Sequence, residues 1–279
     1  MTTFEEMIDG MSVLAKTKQG YKNTIKSIES VFEIPMKEKV SIDCLKEYIE
    51  SLEFNQKLVH LNVIIVLRKS QDLDNTSIKK YRTLLQAELK SSQVIKLQIK
   101  AKNMHSLEEF KEELDKAFES TRYIKYIVNY LLMTYGVRNQ DLDVHIIKTK
   151  KEMEDKTKNY LLIQKGQIKY ERNVYKTVST FNAQSVNITD ERFNIAVSNI
   201  PLGQLFEETQ ISNALRKFNI LKMNESDIFK MMIEYNYSQN NSEEIKRLAS
   251  SRGTSLDTVE TFYDLNIKSL TPIEKAKLL

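Results

Sequence analysis

The fold is decided by the stretch Tyr130-Leu-Leu-Met-Thr-Tyr-Gly-Val-Arg-Asn-Gln-Asp-Leu142. It predicts an apolar helix that ends at Gly136, because glycine readily takes the left-handed conformation that ends helices. Arg138 follows two residues later and precedes an Asp-Leu pair that begins a second apolar segment. An arginine at such a junction is presented from the end of a helix rather than from a solvated helix face.

Residues before this stretch are predicted to be helical. Apolar side chains recur at helical spacing, as Ile25 and Ile28 do, and polar or proline-containing breaks separate the segments. The basic, polar segment 96–105 is a candidate linker, and Ser106 with Glu109 has the capping-box pattern that begins a new helix. This organisation predicts two domains, residues 1–102 and 103–279, with helices at 21–32, 42–52, 56–67 and 78–99 and breaks at 34–35, 53–55 and 70–77.

The hydrophobic period changes after residue 158. Three short segments have the β-branched and aromatic residues typical of strands and are joined by turn residues. Helical patterns resume at Asp190 and continue almost to Leu279. The predicted fold class is therefore mainly α, with a small β-sheet inserted in the second domain, and the strands are expected at 159–164, 167–171 and 185–188.

Composition limits the kinds of site that the chain can build. It has one cysteine and three histidines that are far apart, so neither a disulfide nor a cysteine- or histidine-rich metal site is expected. No glycine-rich phosphate loop, paired catalytic carboxylates or Ser-His-Asp set is visible. The net charge of +4 permits a polyanionic partner without establishing one. We therefore predict that neither a metal nor another cofactor is required.

Hydrophobic patterning predicts a soluble, intracellular protein. The longest apolar stretch, 58–67, is interrupted by His60 and Asn62 and is shorter than the about 20 residues that span a bilayer. The first ten residues contain three acidic side chains and lack the basic start and apolar centre of a secretory signal. A location in the cytoplasm or the nucleus is expected.

Five side chains in later segments, after Arg138, are further candidates, and the intervals between the last of them matter most. Asp227 and Lys230 are three residues apart on a predicted helix, which places both on one face. Thr254 follows Lys230 by 24 residues, and Tyr263 follows Thr254 by nine. The candidate site residues in these segments are Lys176, Asp227, Lys230, Thr254 and Tyr263.

These residues and intervals resemble those of the tyrosine recombinase family, also called the phage-integrase family, over most of the chain. In that family a helical core-binding domain and a catalytic domain clamp around a DNA duplex. The resemblance implies that residues 1–102 and 103–279 are these two domains. It also implies that double-stranded DNA is the partner and that the protein self-associates on DNA as a dimer or tetramer. The implied activity breaks and rejoins DNA through a 3′-phosphotyrosine intermediate.

The resemblance also implies a role for each matching side chain. Tyr263 would be the nucleophile, Arg138 would hold the scissile phosphate with its planar fork of donors, and Lys176 would protonate the leaving 5′ oxygen. In the family that lysine lies on a turn of the small sheet. Lys230 would neutralise charge in the pentacovalent state, and Thr254 would donate a hydrogen bond to a non-bridging oxygen.

Three of these positions depart from the family's pattern. Asp227 stands where a histidine is expected; it could accept a proton from the nucleophile, but it repels a phosphate. Lys230 stands in the place of an arginine and loses the two-donor grip. Thr254 replaces a histidine or tryptophan. The departures favour a second hypothesis, a catalytically inactive, DNA-binding architectural or virion-associated protein from a viral or mobile-element lineage.

Each candidate residue also has an ordinary structural explanation. Arg138 could cap the preceding helix, Lys176 could be a solvated hairpin lysine, and Asp227 could suit the dipole at a helix N-terminus. Tyr263 could be a packed aromatic beside Phe262, in a chain with 13 tyrosines. If these explanations held throughout, the chain would be a helical scaffold protein, which is the third hypothesis.

Basic side chains outside this constellation could line a DNA-facing surface. Most lie on predicted helices of the first domain, and one lies just before the Gly253-Thr254 pair. Charged helix faces are usually only solvated. The predicted DNA-binding residues are Lys22, Lys26, Lys79, Lys80, Arg82 and Arg252.

Overall fold

The computed structural model describes residues 4–263, apart from 12, 14, 33–41, 71, 102 and 207–215. Within the described residues the chain is mainly α-helical and contains one five-stranded sheet, which confirms the predicted fold class. Two compact units divide the chain, Met1–Ser92 and Gln93–Leu279. The predicted break at 34–35 and the predicted helical end of the chain, 264–279, lie outside the described residues.

The helices of the first unit bury their apolar faces in one core. They are α1 (Phe4–Asp9), α2 (Ala15–Phe32), α3 (Ile42–Ser51), α4 (Phe54–Ser70) and α5 (Thr76–Ala101), of which α5 continues past Ser92. Ile25 and Ile28 of α2 lie on the same helix face because they are three residues apart, and they pack with Ile49 of α3 and Ile64 of α4. The four helices predicted from apolar spacing correspond to α2, α3, α4 and α5.

The end of α5 differs from the prediction. The helix continues to Ala101, so the part of the candidate linker from 96 to 101 is helical. The division of the chain into two units falls within this helix, between Ser92 and Gln93. The domain boundary between residues 102 and 103 therefore stays a prediction.

The second unit begins with two helices whose ends follow the expected local signals. Its helices are α6 (Leu107–Glu119), α7 (Tyr123–Tyr135), α8 (Val178–Phe181), α9 (Glu191–Ser198), α10 (Glu225–Ser238), α11 (Ser242–Arg252) and α12 (Leu256–Phe262). The Ser106 hydroxyl accepts from the Glu109 N–H at 3.1 Å, and the Glu109 carboxylate accepts from the Ser106 N–H at 3.0 Å, which confirms the capping box. α7 ends at Gly136, whose φ is 59°.

The sheet has the strand order β4-β3-β2-β1-β5. The strands are β1 (Val144–Ile147), β2 (Asn159–Gln164), β3 (Gln167–Arg172), β4 (Gln184–Ile188) and β5 (Gly203–Gln204). β1 and β2 are parallel, and the other neighbours are antiparallel. Three strands lie where the sequence predicts them, whereas β1 and β5 were not predicted. Leu161 of β2 and Ile168 of β3 share a core with Phe110 of α6, Leu131 of α7 and Phe193 of α9.

No described helix is both long enough and apolar enough to cross a lipid bilayer.

Candidate functional site

Arg138 lies at the junction between α7 and a short 3₁₀ turn, Asn139–Leu142. The preceding Val137 is fully buried, so the core fixes the backbone on that side. The Arg138 N–H donates to the Asp141 carboxylate at 3.0 Å, and the guanidinium donates to the carbonyl of Arg252. The Asp141 carboxylate forms its ion pair with Arg172, at 2.8 Å, rather than with Arg138. Arg138 is therefore anchored at its backbone and at its head group.

Replacing Gly136 by alanine is expected to destabilise the protein more than the same change at Gly166. Both glycines have a positive φ, 59° and 77°. A Cβ at Gly136 would lie 2.8 Å from ring carbons of Phe229, whereas a Cβ at Gly166 would meet no atom within 4 Å. Urea denaturation should show a loss of unfolding free energy of about 2–5 kcal/mol for Gly136→Ala and about 1–2 kcal/mol for Gly166→Ala. Equal losses would contradict the close packing of Phe229 on this turn.

Arg252 is the buried centre of the arrangement. It is 2% exposed, and its Nη1 donates to the carbonyls of Gly136 at 2.8 Å and Val137 at 3.2 Å. Its Nη2 lies 3.1 Å from the Glu225 carboxylate, and its guanidinium lies over the Phe229 ring at 4.5 Å. Contrary to the prediction, Arg252 is therefore not placed to contact DNA, because its side chain is buried and both of its terminal nitrogens donate to acceptors inside the protein.

Tyr263 directly follows α12 as its C-terminal cap, and its side chain is half-buried. The edge of its ring meets Phe229 at a centroid distance of 4.8 Å and an interplanar angle of 88°. The Arg252 guanidinium lies 5.4 Å from the centre of the Tyr263 ring. Tyr263 therefore packs against the same arginine whose carbonyl binds Arg138.

Tyr263 is among the groups that shift the pKa of the Arg138 guanidinium. Burial lowers the pKa of the Arg138 guanidinium from its ordinary value, and the neighbouring charge of Arg252 lowers this pKa further. Asp141, Tyr263 and Glu225 act on the pKa in the opposite direction. Arginine stays charged despite such shifts, so the site keeps a fixed positive charge close to the tyrosine.

Lys176 lies in the connection between the antiparallel strands β3 and β4, next to a residue that contacts the Gly253-Thr254 pair. β3 ends at Arg172, and the exposed Lys176 stands between a buried Tyr175 and a half-buried Thr177. The Thr177 hydroxyl donates to the Gly253 carbonyl at 2.8 Å. The residue after Lys176 is thereby held against the end of α11.

The short turn between β2 and β3 carries another lysine, which was not among the predicted site residues. Lys165 and Gly166 form the two-residue connection between β2 and β3, and Lys165 is exposed. Arg172, at the opposite end of β3, pairs with Asp141, so the turn lies at the strand ends that point away from Arg138. The signal for Lys165 was present, because a glycine-containing pair between two strand patterns predicts a hairpin.

Asp227 and Lys230 lie in the first turns of α10. The Asn224 side chain caps this helix by accepting from the N–H groups of Ser226 at 2.9 Å and Asp227 at 3.1 Å. An acid in the first turn interacts favourably with the helix dipole, so Asp227 has a structural role of its own. Both Asp227 and Lys230 are half-buried.

Glu225, next to the cap of α10, was not predicted from the sequence. Its carboxylate pairs with Arg252 and also accepts from the N–H of Asn139, the residue after Arg138. Thr254 is half-buried, and its N–H donates to the Ala249 carbonyl at 2.9 Å. The start of α10 and the end of α11 thus converge on the turn that contains Arg138.

The basic residues predicted to face DNA from the first unit lie on α2 and α5. Lys22 forms an ion pair with Asp9 at 2.8 Å, and this carboxylate partly neutralises the charge of Lys22. The others are the exposed Lys26, Lys79 and Lys80 and the half-buried Arg82. Their contact with DNA stays a prediction.

A cavity of about 450 Å³ beside the site is lined by polar and aromatic side chains that include Tyr135, Arg172 and Arg247. Arg172 is paired with Asp141 at 2.8 Å, and Arg247 is paired with Glu244 at 2.6 Å. Because both arginines already have carboxylate partners, the cavity offers little net charge to an anion. Among the described residues no group of three or more metal-ligating side chains is present.

Comparisons with known proteins give a distant likeness to a solved structure. No protein-family model matches the sequence, and no curated protein matches it. Among solved structures, the crystal structure of XerA recombinase is 12% identical, and the alignment covers 99% of this chain and 94% of that chain with a TM-score of 0.38. A TM-score of this size carries no argument about function, so the function has to be inferred from the residues of this chain.

Proposed function

We propose that this protein breaks and rejoins double-stranded DNA, with Tyr263 as the nucleophile and Arg138 as the residue that holds the scissile phosphate. The observation that supports this best is the shared contact with Arg252. Its carbonyl binds the Arg138 guanidinium, and its own guanidinium lies 5.4 Å from the Tyr263 ring. Residues distant in sequence thus share Arg252 as a neighbour, and we infer that the Arg138 guanidinium and the Tyr263 phenol can act on one phosphate.

The proposed reaction is a transesterification that needs no metal. The Tyr263 oxygen attacks phosphorus and loses its proton to water, and the bond from phosphorus to the 5′ oxygen breaks. The DNA 3′ end stays attached as a phosphotyrosine. Arg138 and Lys230 stabilise the charge of the pentacovalent state, and Thr254 donates a hydrogen bond to a non-bridging oxygen. Asp227 is assigned no step, because its place at the helix start accounts for it.

Rejoining reverses these bond changes. The phosphotyrosine bond conserves the energy of the broken phosphodiester. A 5′ hydroxyl can therefore attack the phosphotyrosine and release Tyr263. Attack by a 5′ hydroxyl from a second duplex would exchange strands, which requires several protomers on DNA. We therefore propose a dimer or tetramer on the DNA. The basic residues of α2 and α5 would add contacts to the DNA backbone.

Lys176 is proposed as the general acid that protonates the leaving 5′ oxygen. Lys176→Ala should slow cleavage of ordinary DNA about 10²- to 10⁴-fold. The defect should largely vanish when sulfur replaces the bridging 5′ oxygen, because a thiol with a pKa of about 8.5 leaves as a thiolate without protonation. The measurement is the single-turnover rate of adduct formation on both substrates. Lys165→Ala is assayed in parallel, and this pattern in Lys165→Ala instead would contradict the role of Lys176.

A second candidate function is DNA binding without chemistry. It is favoured by Asp227 and Lys230, which stand where the recombinase pattern has histidine and arginine. A lysine lacks the two-donor grip of an arginine on a phosphate. An architectural or virion-associated protein could keep the DNA clamp after losing the reaction.

One experiment separates the functions. The protein is incubated with fluorescent duplexes of randomised sequence, each nicked on one strand so that the released 5′ end diffuses away. An adduct that survives denaturing detergent and maps to Tyr263 supports the enzyme. Salt-sensitive binding without an adduct supports the architectural protein and overturns the enzyme. The absence of binding at low salt overturns both and leaves the helical scaffold.

A further inference from the structure

A buried ion pair in the second unit has no step in the proposed reaction. Arg252 is 2% exposed, the Glu225 side chain is 22% exposed, and Nη2 of Arg252 lies 3.1 Å from the Glu225 carboxylate. Taking two charges out of water is costly unless both are well paired and hydrogen-bonded. The remaining contacts of this pair therefore indicate what the burial achieves.

Both members of the pair bind the backbone around Arg138. Nη1 of Arg252 donates to the carbonyls of Gly136 and Val137, which precede Arg138. The Glu225 carboxylate accepts from the N–H of Asn139, which follows it. The Arg252 carbonyl accepts from the Arg138 guanidinium itself. The turn is thus held on both sides, and the head group is held as well.

The same guanidinium contacts the proposed nucleophile. Arg252 lies 4.5 Å over the Phe229 ring and 5.4 Å from the centre of the Tyr263 ring. Phe229 meets Tyr263 edge to face at 4.8 Å. A shift of Arg252 would therefore move the support of Arg138 and the packing surface of Tyr263 together.

The charge of Arg252 also determines what Glu225 attracts. The Glu225 carboxylate is close enough to Arg138 to raise the pKa of that guanidinium. While Arg252 neutralises Glu225, the free donors of Arg138 stay available to a phosphate. Without Arg252, the carboxylate would compete with the phosphate for Arg138.

We propose that Glu225 and Arg252 are positioning residues that fix the Arg138 guanidinium and the Tyr263 ring relative to each other. The role rests on the proposed function and extends it, because the proposed reaction assigns neither residue a contact with the DNA. Arg252 keeps Glu225 from pairing with Arg138, and Glu225 holds Arg252 and the Asn139 backbone. A displacement of about 1 Å in such an arrangement can cost about 10²-fold in rate.

The test compares Glu225→Gln, Arg252→Leu and the double variant with the wild type. Each is assayed for DNA affinity and for the rate of adduct formation at saturating nicked DNA, well below its melting temperature. The single variants should lose about 10- to 100-fold in rate while the Kd for DNA changes less than about twofold. Arg252→Leu should be slower than the double variant, because it leaves Glu225 free to pair with Arg138. Glu243→Gln is the matched control, since Glu243 lies on the same helix as Arg252, is exposed and pairs with the exposed Lys246 at 2.6 Å.

A neutral substrate distinguishes positioning from a loss of folding. A methylphosphonate at the scissile position removes the negative charge that Arg138 neutralises, so the variants should approach the wild-type rate on it. A variant that is merely unstable would be slow on both substrates, and that result would overturn the positioning role. If Glu225→Gln does not fold, the double variant, which removes both charges, carries the comparison.

Two outcomes tell the failures apart. A wild type that forms an adduct, with variants that cleave ordinary DNA at its rate, overturns the positioning role alone. A wild type that forms no adduct overturns the proposed function, and the positioning role with it.

Discussion

Tyr263→Phe is expected to abolish the covalent adduct with DNA completely while leaving non-covalent DNA binding unchanged. The variant removes only the hydroxyl, so the ring can keep its edge contact with Phe229 and its place near Arg252. No other atom of the side chain can form an ester with phosphorus. The measurement is the slower-migrating protein–DNA band on a denaturing gel with nicked duplexes, together with the Kd from fluorescence anisotropy.

The matched control is Tyr235→Phe. Tyr235 is also a half-buried tyrosine of the second unit, and it packs against the same core. It should form the adduct at the wild-type rate. An adduct of normal yield in Tyr263→Phe would show that another side chain is the nucleophile, and its loss in both variants would point to a packing defect.

The fold was predictable where local signals and hydrophobic periodicity agree. The Ser106 capping box and the Gly136 stop are local, so they place the ends of α6 and α7 without knowledge of the rest of the chain. The β2 and β3 hairpin has alternating burial on β3 and a glycine-containing turn. β1 and β5 were missed because they have four and two residues, too few for a period to appear, and β1 is defined by its non-local pairing with β2.

The sequence names the candidate site residues one by one but does not show how they pack together. Arg252 was expected to face DNA because it is basic and adjoins the Gly253-Thr254 pair. The spacing along its helix nevertheless indicates burial, since Arg252 recurs at helical spacing with Ile245 and Leu248 on the buried face of α11. An arginine at such a position requires an internal carboxylate. The acid that supplies it, Glu225, lies on a different helix, and nothing in the sequence joins the two.

The lysine assignment shows the same limit. The pattern places Lys176 after two predicted strands, but only the pairing of β3 with β4 shows that it lies in the connection between these neighbouring strands. The hydrogen bond from Thr177 to the Gly253 carbonyl joins residues far apart in the chain. Spacing alone therefore identified a lysine near the end of α11 without giving the reason that it lies there.

Arg138→Ala is expected to lower the rate of adduct formation about 10³-fold at saturating DNA. The reason is that the guanidinium places a fixed positive charge and two parallel donors where charge develops on the phosphate oxygens. Arg138→Lys should recover only part of the rate, because an ammonium keeps the charge but lacks the fork that can bind the Arg252 carbonyl and a phosphate at once. The measurement is a single-turnover time course on nicked DNA.

The control for Arg138 is Arg192→Ala, because Arg192 is a half-exposed arginine that pairs with Asp115 at 2.6 Å. An exposed ion pair of this kind contributes little stability, at most about 1 kcal/mol. Arg192→Ala should therefore cleave DNA at the wild-type rate. If Arg138→Ala cleaved within about tenfold of the wild type, its guanidinium would not be stabilising the transition state to the extent that such groups do. The position of Arg138 beside Tyr263 would then be explained by packing alone, and its hydrogen bond to the Arg252 carbonyl would be structural.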